Sequence, residues 1–469
     1  MEERNKRLFR NLFVIGVGTV ISKVTQYVVL AFCTYWMTTG EYGIADLCAS
    51  TSALLVPIVT IDIAQAAFRF SKNDNRSGLI TFGMLISFLG PSLCFLLLPL
   101  SHLFPRVGEY WAAISFLVLM ESLYGVLKEY TRGNERSKTY VAGGIINAAV
   151  QVVACLLFVY VFKMGVEGYI FALVAGYFFE IVFLFFALRV FSMLRFSSIS
   201  KSEVKEYLKF SLPLMPNTLM WWIISVSDRY FILFMIGDSA TGIYSVAAKI
   251  PALVSIVSTL FFKAWEISAI SEKSSSDRGR YSSDMFERIS LLVALSISAL
   301  FVLLRALLKI MVSSEFFESW QFATVLIAAA GYASCQSFVG TTYTVEKDSI
   351  GCLKTTCFTA VVNILLNLLM IHLFGIMGAA VATLISYILV LVYRLVDTRK
   401  YVALSVNWVR FSATFAIITI ESFGLALLPD WYYLISTLCF AIIVIINYRK
   451  LKSDFTLVIR SLFKRREGV

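Results

Sequence analysis

Charge is scarce in this sequence. Of 469 residues only 15% are Asp, Glu, Lys or Arg, where a soluble domain carries about 25%. Hydrophobic residues reach 59% and the mean hydropathy is +0.79. A soluble core could not enclose that much apolar surface. Histidine is scarcer still. The two present, His102 and His372, fall near expected helix ends, and neither has a nucleophile or metal ligand at useful spacing. The eight cysteines form no Cys-x-x-Cys and no ligand cluster. They lie mostly inside apolar runs, where a thiol packs as a small apolar group. No cleavable signal peptide is evident, and long outer loops are missing. These absences argue against an enzyme. A membrane polymerase would carry a large outer loop, and no metal or cofactor is expected.

Long apolar runs take the place of what is missing. A bilayer core needs about 20 apolar residues per helix. On that measure the sequence predicts an all-α polytopic membrane protein with about fourteen spans: 10–36, 43–68, 78–104, 109–131, 140–162, 167–192, 209–236, 241–269, 284–311, 319–342, 353–374, 376–397, 408–428 and 431–448. The 39 Phe, 22 Tyr and 8 Trp suit lipid-facing surfaces and interfacial belts.

The placement of Lys and Arg sets an orientation. Thirty-three of the 41 lie at the N-terminus, in every second connection and in the tail, whereas the alternate connections hold only Arg106, Lys163 and Lys309. Positive charge stays on the cytoplasmic side, so both termini are expected there. The net charge of +11 then reads as topology and contact with anionic lipid headgroups rather than nucleic-acid binding.

The chain also resembles itself. GIADLCASTSALLVPI (43–58) aligns with GIYSVAAKIPALVSIV (242–257) at an offset of 199, and MGVEGYIFALVAGY (164–177) with FGIMGAAVATLISY (374–387) at 210. Helices six apart run in the same direction, so the repeat is parallel and implies a pseudo-twofold axis along the membrane normal. The expected organisation is a six-helix lobe (1–195), a cytoplasmic linker (196–208), a second six-helix lobe (209–397), a hairpin (408–448) and a basic tail (449–469). Such architectures place a substrate between lobes near mid-membrane.

Five cations remain inside spans: Lys23, Arg229, Lys249, Lys263 and Arg305. Carboxylates there include Asp46, Asp62, Glu121, Glu180, Asp228, Glu266 and Glu421. Each in-membrane charge costs about 3 kcal/mol on insertion scales, so these groups face a cavity or a partner. One reading is a cationic cavity of Lys23, Arg229, Lys249 and Arg305, suited to a phosphate-bearing head. The other is a set of salt bridges that fix helix packing. Asp228 and Arg229 are adjacent, so they point about 100° apart and cannot simply neutralise each other within one helix. Lys263 and Glu266 suit snorkelling near a cytoplasmic end. Pro213, Pro216 and Pro251 mark expected helix breaks.

The stretch 211–257, SLPLMPNTLMWWIISVSDRYFILFMIGDSATGIYSVAAKIPALVSIV, carries a Leu-Pro-x-x-Pro opening, a late Asp-Arg-Tyr and Gly-Ile-Tyr-Ser-x-Ala-x-Lys. It resembles the polysaccharide transporter branch of the multidrug/oligosaccharidyl-lipid/polysaccharide superfamily, the O-antigen and capsule repeat-unit flippases. EYGIADL (41–47) is similar to the first-lobe counterpart. The resemblance implies two lobes like those of the multidrug exporters. It also implies a bacterial inner membrane, and outward flipping of an undecaprenyl-pyrophosphate-linked oligosaccharide coupled to an H+ or Na+ gradient. Arg229 and Lys249 would then meet the pyrophosphate. Asp228, with Asp62, Glu121 and Glu180, would serve ion coupling or gating. Lys23 and Arg305 rest on charge and depth. Membrane lipids, a polysaccharide polymerase and other assembly proteins are the implied partners. A lipid II flippase and a multidrug or cation exporter of the same fold remain alternatives; the exporter fits less well, given the added hairpin and the basic residues.

Overall fold

The computed structural model describes residues 24–103, 106–272, 275 and 277–464. All regular elements among them are helical. Among the described residues, eleven helices are long and apolar enough to cross a membrane.

Two compact units divide the chain. The first comprises the described residues up to Val246 together with Ile310–Phe317, and the second Ala247–Lys309 with the described residues from Glu318. In the first lie α1 (24–36), α2 (Thr39–Thr60), α3 (Ile63–Arg69), α4 (Arg76–Leu96), α5 (Trp111–Gly133), α6 (Ser137–Cys155), α7 (Gly165–Ala187), the short α8 (Val190–Met193), α9 (Lys201–Ser211) and α10 (Met215–Met235). Then α11 (Asp238–Lys249) leads into the second unit, which holds α12 (Ala252–Ser271), α13 (Arg278–Met311), α14 (Ser319–Glu346), α15 (Ser349–Asp397), α16 (Trp408–Leu427) and α17 (Tyr432–Lys464).

In the first unit α2 packs on α4, α5, α7 and α10. Thr38 caps it: its hydroxyl accepts from Glu41 N, and the Glu41 carboxylate accepts from Thr38 N. The expected single helix over 43–68 is broken. Pro57 removes a donor inside α2, and Ile61 and Asp62 then take left-handed conformations with φ of 53° and 49° before α3 restarts the chain. The expected linker is ordered as α9. Its Tyr207 is buried among Phe70 and Phe82, and Asn75 Nδ2 donates to Glu203 Oε2 at 2.6 Å.

In the second unit α14 lies innermost. Burial covers 89% of its most apolar stretch, against 22% for the stretch that includes α17. Tyr332 Oη on α14 donates to the Phe415 carbonyl oxygen of α16 at 3.2 Å. The expected break after Lys249 is present, with Ile250 and Pro251 separating α11 from α12. The 49-residue α15 is a hairpin rather than a rod. Gly375 has φ 58° and ψ −138°, and Asn363 Nδ2 donates back to Ser386 Oγ at 3.4 Å.

The second repeat does the same local work in both copies. Gly165 and Gly375, 210 residues apart, take φ of 53° and 58°, a region open to glycine at little cost. Three residues on, a Cβ at Gly168 would lie 3.0 Å from the Phe158 carbonyl oxygen, and one at Gly378 1.9 Å from that of Met370. The first glycine turns the chain, and the second lets the returning helix press on the outgoing one.

Candidate functional site

The charged residues of α10 point inward, and they part company as their spacing requires. Asp228 and Arg229 are 4% and 7% exposed. Arg229 Nη1 donates to Asp46 Oδ2 on α2 at 2.9 Å and to Ser50 Oγ at 3.4 Å. Asp228 Oδ2 instead accepts from Tyr244 Oη of α11 at 2.6 Å, and its Oδ1 accepts from Arg229 N at 2.8 Å. Arg229 Nε has no hydrogen-bond partner among the described residues.

Around this pair α2 forms a polar ladder. Trp222 Nε1 donates to Ser50 O at 2.7 Å, and Thr51 meets the Tyr230 hydroxyl. Ser52 Oγ donates to Glu121 Oε2 of α5 at 2.6 Å. Thr218 Oγ1 donates to Asp62 Oδ2 at 3.1 Å, and Asp62 stands immediately before α3 without capping it through its side chain. The kink at Ile61–Asp62 therefore aims Asp62 at α10. Glu180 on α7 is different. It is 1% exposed, yet no hydrogen bond of normal geometry reaches either carboxylate oxygen among the described residues, and Asn147 Nδ2 is equally unmatched. Gly143 leaves the room it occupies, since a Cβ there would lie 2.9 Å from Glu180 Oε1.

The other expected cavity cations are placed separately. Lys249 ends α11, immediately before the Pro251 break. Arg305 belongs to the second unit and holds the α16–α17 turn. Its Nη1 donates to Pro429 O at 2.9 Å, and its guanidinium lies over the Trp320 and Tyr432 rings at 4.8 and 5.3 Å. Lys23 lies outside the described residues. No group of three or more metal-ligating side chains occurs among the described residues.

The residues that sequence reasoning missed are neutral: Ser50, Thr51, Trp222, Tyr230 and Tyr244. Tyr230 and Tyr244 sit in the Asp-Arg-Tyr and Gly-Ile-Tyr-Ser motifs, whereas Ser50, Thr51 and Trp222 belong to neither.

Long apolar helices with an ion pair buried between α2 and α10 define a multi-pass membrane protein. Residues 8–265, more than half of the chain, match the family described as "Polysaccharide biosynthesis protein", and the chain belongs to it. The lipid II flippase MurJ in an inward closed conformation is similar in fold, with TM-score 0.67 and 16% identity over 93% of this chain and 98% of that one. A multidrug resistance MATE family transporter of the MOP superfamily gives 0.68 inward-facing, at 12% identity over 84% of this chain and 95% of that one. An outward-facing MATE structure gives 0.58, at 14% identity over 86% and 96%. No curated protein sequence matches the chain significantly.

Proposed function

We propose that this chain is a flippase. It moves an undecaprenyl-pyrophosphate-linked oligosaccharide repeat unit, of O-antigen, capsule or exopolysaccharide, from the cytoplasmic to the outer leaflet of a bacterial inner membrane by alternating access. The observation that carries the reading is the buried Arg229–Asp46 pair inside a chain of the polysaccharide biosynthesis family. A guanidinium with one nitrogen unmatched can exchange a carboxylate for a phosphate without leaving its site, because each anion presents a pair of charged oxygens that the guanidinium fork can meet. Lys249 supplies a second cation to the lipid head. Glu180 is the coupling group in this scheme. A carboxyl buried beside Asn147 and Lys128, with no well-formed hydrogen bond to either oxygen, favours holding a proton or a cation at membrane depth, so its loading follows the ion gradient. Asp62, Glu121 and Asp228, already hydrogen-bonded, serve as gating contacts. Polysaccharide polymerase and other assembly proteins are the partners this reading brings with it.

The test is deletion in the host. Loss of surface polysaccharide with lipid-linked repeat units accumulating inside is expected; unchanged polysaccharide would sink the idea. A lipid II flippase is the second reading, favoured by the coverage of the MurJ structure. Loss of viability on depletion, with lipid II accumulating, would select it. Resistance to cationic dyes on overexpression would instead select a multidrug exporter.

A further inference from the structure

The first internal repeat is in contact with itself. A Cβ on Gly43 would lie 2.6 Å from Gly242 N and 2.8 Å from the Asp238 carbonyl oxygen, and one on Gly242 would lie 1.8 Å from the Thr39 carbonyl oxygen. At the 199-residue offset Gly43 corresponds to Gly242 and Thr39 to Asp238. Each glycine therefore faces the carbonyl equivalent to the one its counterpart faces. That exchange is the signature of a two-fold interface, here made within one chain by the first turns of α2 and α11. The matching Gly-Ile pairs of the repeat sit where the two copies must approach at backbone distance, which no larger residue permits.

The surroundings seal the same point. Gly40 would place a Cβ 3.3 Å from Asp238 Cβ. Arg106 Nε pairs with Asp238 Oδ2 at 3.4 Å. Tyr42, 1% exposed, meets Tyr169 and Phe316 edge-on at 6.2 and 5.8 Å. A polar pocket of ≈ 310 Å³ borders the contact, lined in part by Glu41, Arg106, Glu109 and Asp238. By the distribution of basic residues these helix ends lie on the outer side.

The geometry points to this reciprocal glycine contact as the outer gate of the transport path, shut in this structure. The inference rests on the transporter reading above. Its chemistry suits a gate. Backbone against backbone offers many small dispersion contacts and no interlocked side chains, and the bordering ion pair is exposed and weak. Separation leaves no buried charge behind, so the contact can break and reform in every cycle. The deeper Arg229–Asp46 pair lacks that property.

The test is a cross-link. Cβ atoms about 3.5–4.5 Å apart suit a disulfide, so G40C/D238C should close spontaneously on the oxidising outer side. Closure would show as two fewer maleimide adducts in denaturant than after reduction. Cells depending on the cross-linked chain should lose at least tenfold in surface polysaccharide, recover it on reduction, and keep it with either single cysteine. A cross-linked chain that still exports at the native level overturns the gate and leaves the flippase reading intact, as does a folded double variant that never cross-links. A native chain that complements no polysaccharide defect overturns the flippase reading instead. The gate is then judged without substrate, by nitroxides at Glu41 and Ser239 in membranes. Two populated separations support it, and one fixed short separation overturns it.

Discussion

Arg229 and Asp46 form an ion pair 2.9 Å long with both side chains buried. Removing one member strands the other, at a cost of about 3–5 kcal/mol in a buried site. Arg229→Met and Asp46→Leu are each expected to lower the unfolding temperature in detergent. The double variant should regain part of the loss, and the four unfolding curves close the cycle. Polysaccharide assayed on the same proteins separates packing from recognition, because a stable double variant without export assigns Arg229 to the substrate. The sequence could not supply the partner: periodicity shows which side of its own helix a residue occupies, not which helix stands opposite. Outside the spans Asp348 makes a simpler prediction. Gly351 N at 2.8 Å, the Tyr401 hydroxyl at 2.9 Å and the Lys400 ammonium at 3.8 Å hold its carboxyl below the usual range. A depressed carboxyl stabilises the fold above its ordinary value of about 3.9 and loses that contribution as pH falls through the lower folded value. Unfolding temperature against pH should therefore show the Asp348→Asn deficit from neutral pH down to about 4, shrinking below it.

Whole elements were most legible where punctuation residues force a local outcome. Pro251 ends a helix wherever it falls, and Gly375 reverses one, so both breaks could be read directly. The break at Ile61–Asp62 could not: Pro57 was visible, but two left-handed non-glycine residues leave no pattern in sequence, and the contact from Thr218 of α10 to Asp62 is a long-range one. The π-helical turn Leu156–Val161 at the end of α6 likewise leaves no mark in composition. Glycine replacement checks this distinction. Gly375→Ala forces a Cβ into φ 58°, ψ −138°, and strain of this kind costs about 1–3 kcal/mol. Gly125→Ala on α5, whose nearest neighbour would be Ala64 Cβ at 3.8 Å, should be neutral or gain about 0.4–1 kcal/mol from the unfolded chain. Thermal unfolding of the two variants should move in opposite directions or leave only the first shifted.

At the scale of the molecule, the asymmetry of basic residues is the strongest sequence signal. It predicts that alkaline phosphatase fused at Lys163 or Asp430 is active, and that fusions at Glu135, Ser275 or Lys347 are silent. Activity at Glu135 would invert the topology and relocate the glycine contact to the cytoplasmic side. The central position of α14 has a further consequence, for biosynthesis. A helix that ends with 89% of its apolar stretch covered by protein leaves the insertion machinery before part of its cover exists, since α12 and α13 precede it but α15 and α16 are made after it. Until residues 408–427 arrive, the Tyr332 hydroxyl lacks its acceptor on Phe415 and faces lipid or a chaperoning helix. Nascent chains stalled before 408 should thus photocross-link from position 332 to the insertase or to lipid, and chains released beyond 448 to α16. The order of synthesis, and not only the finished packing, then limits which polar residues α14 can carry.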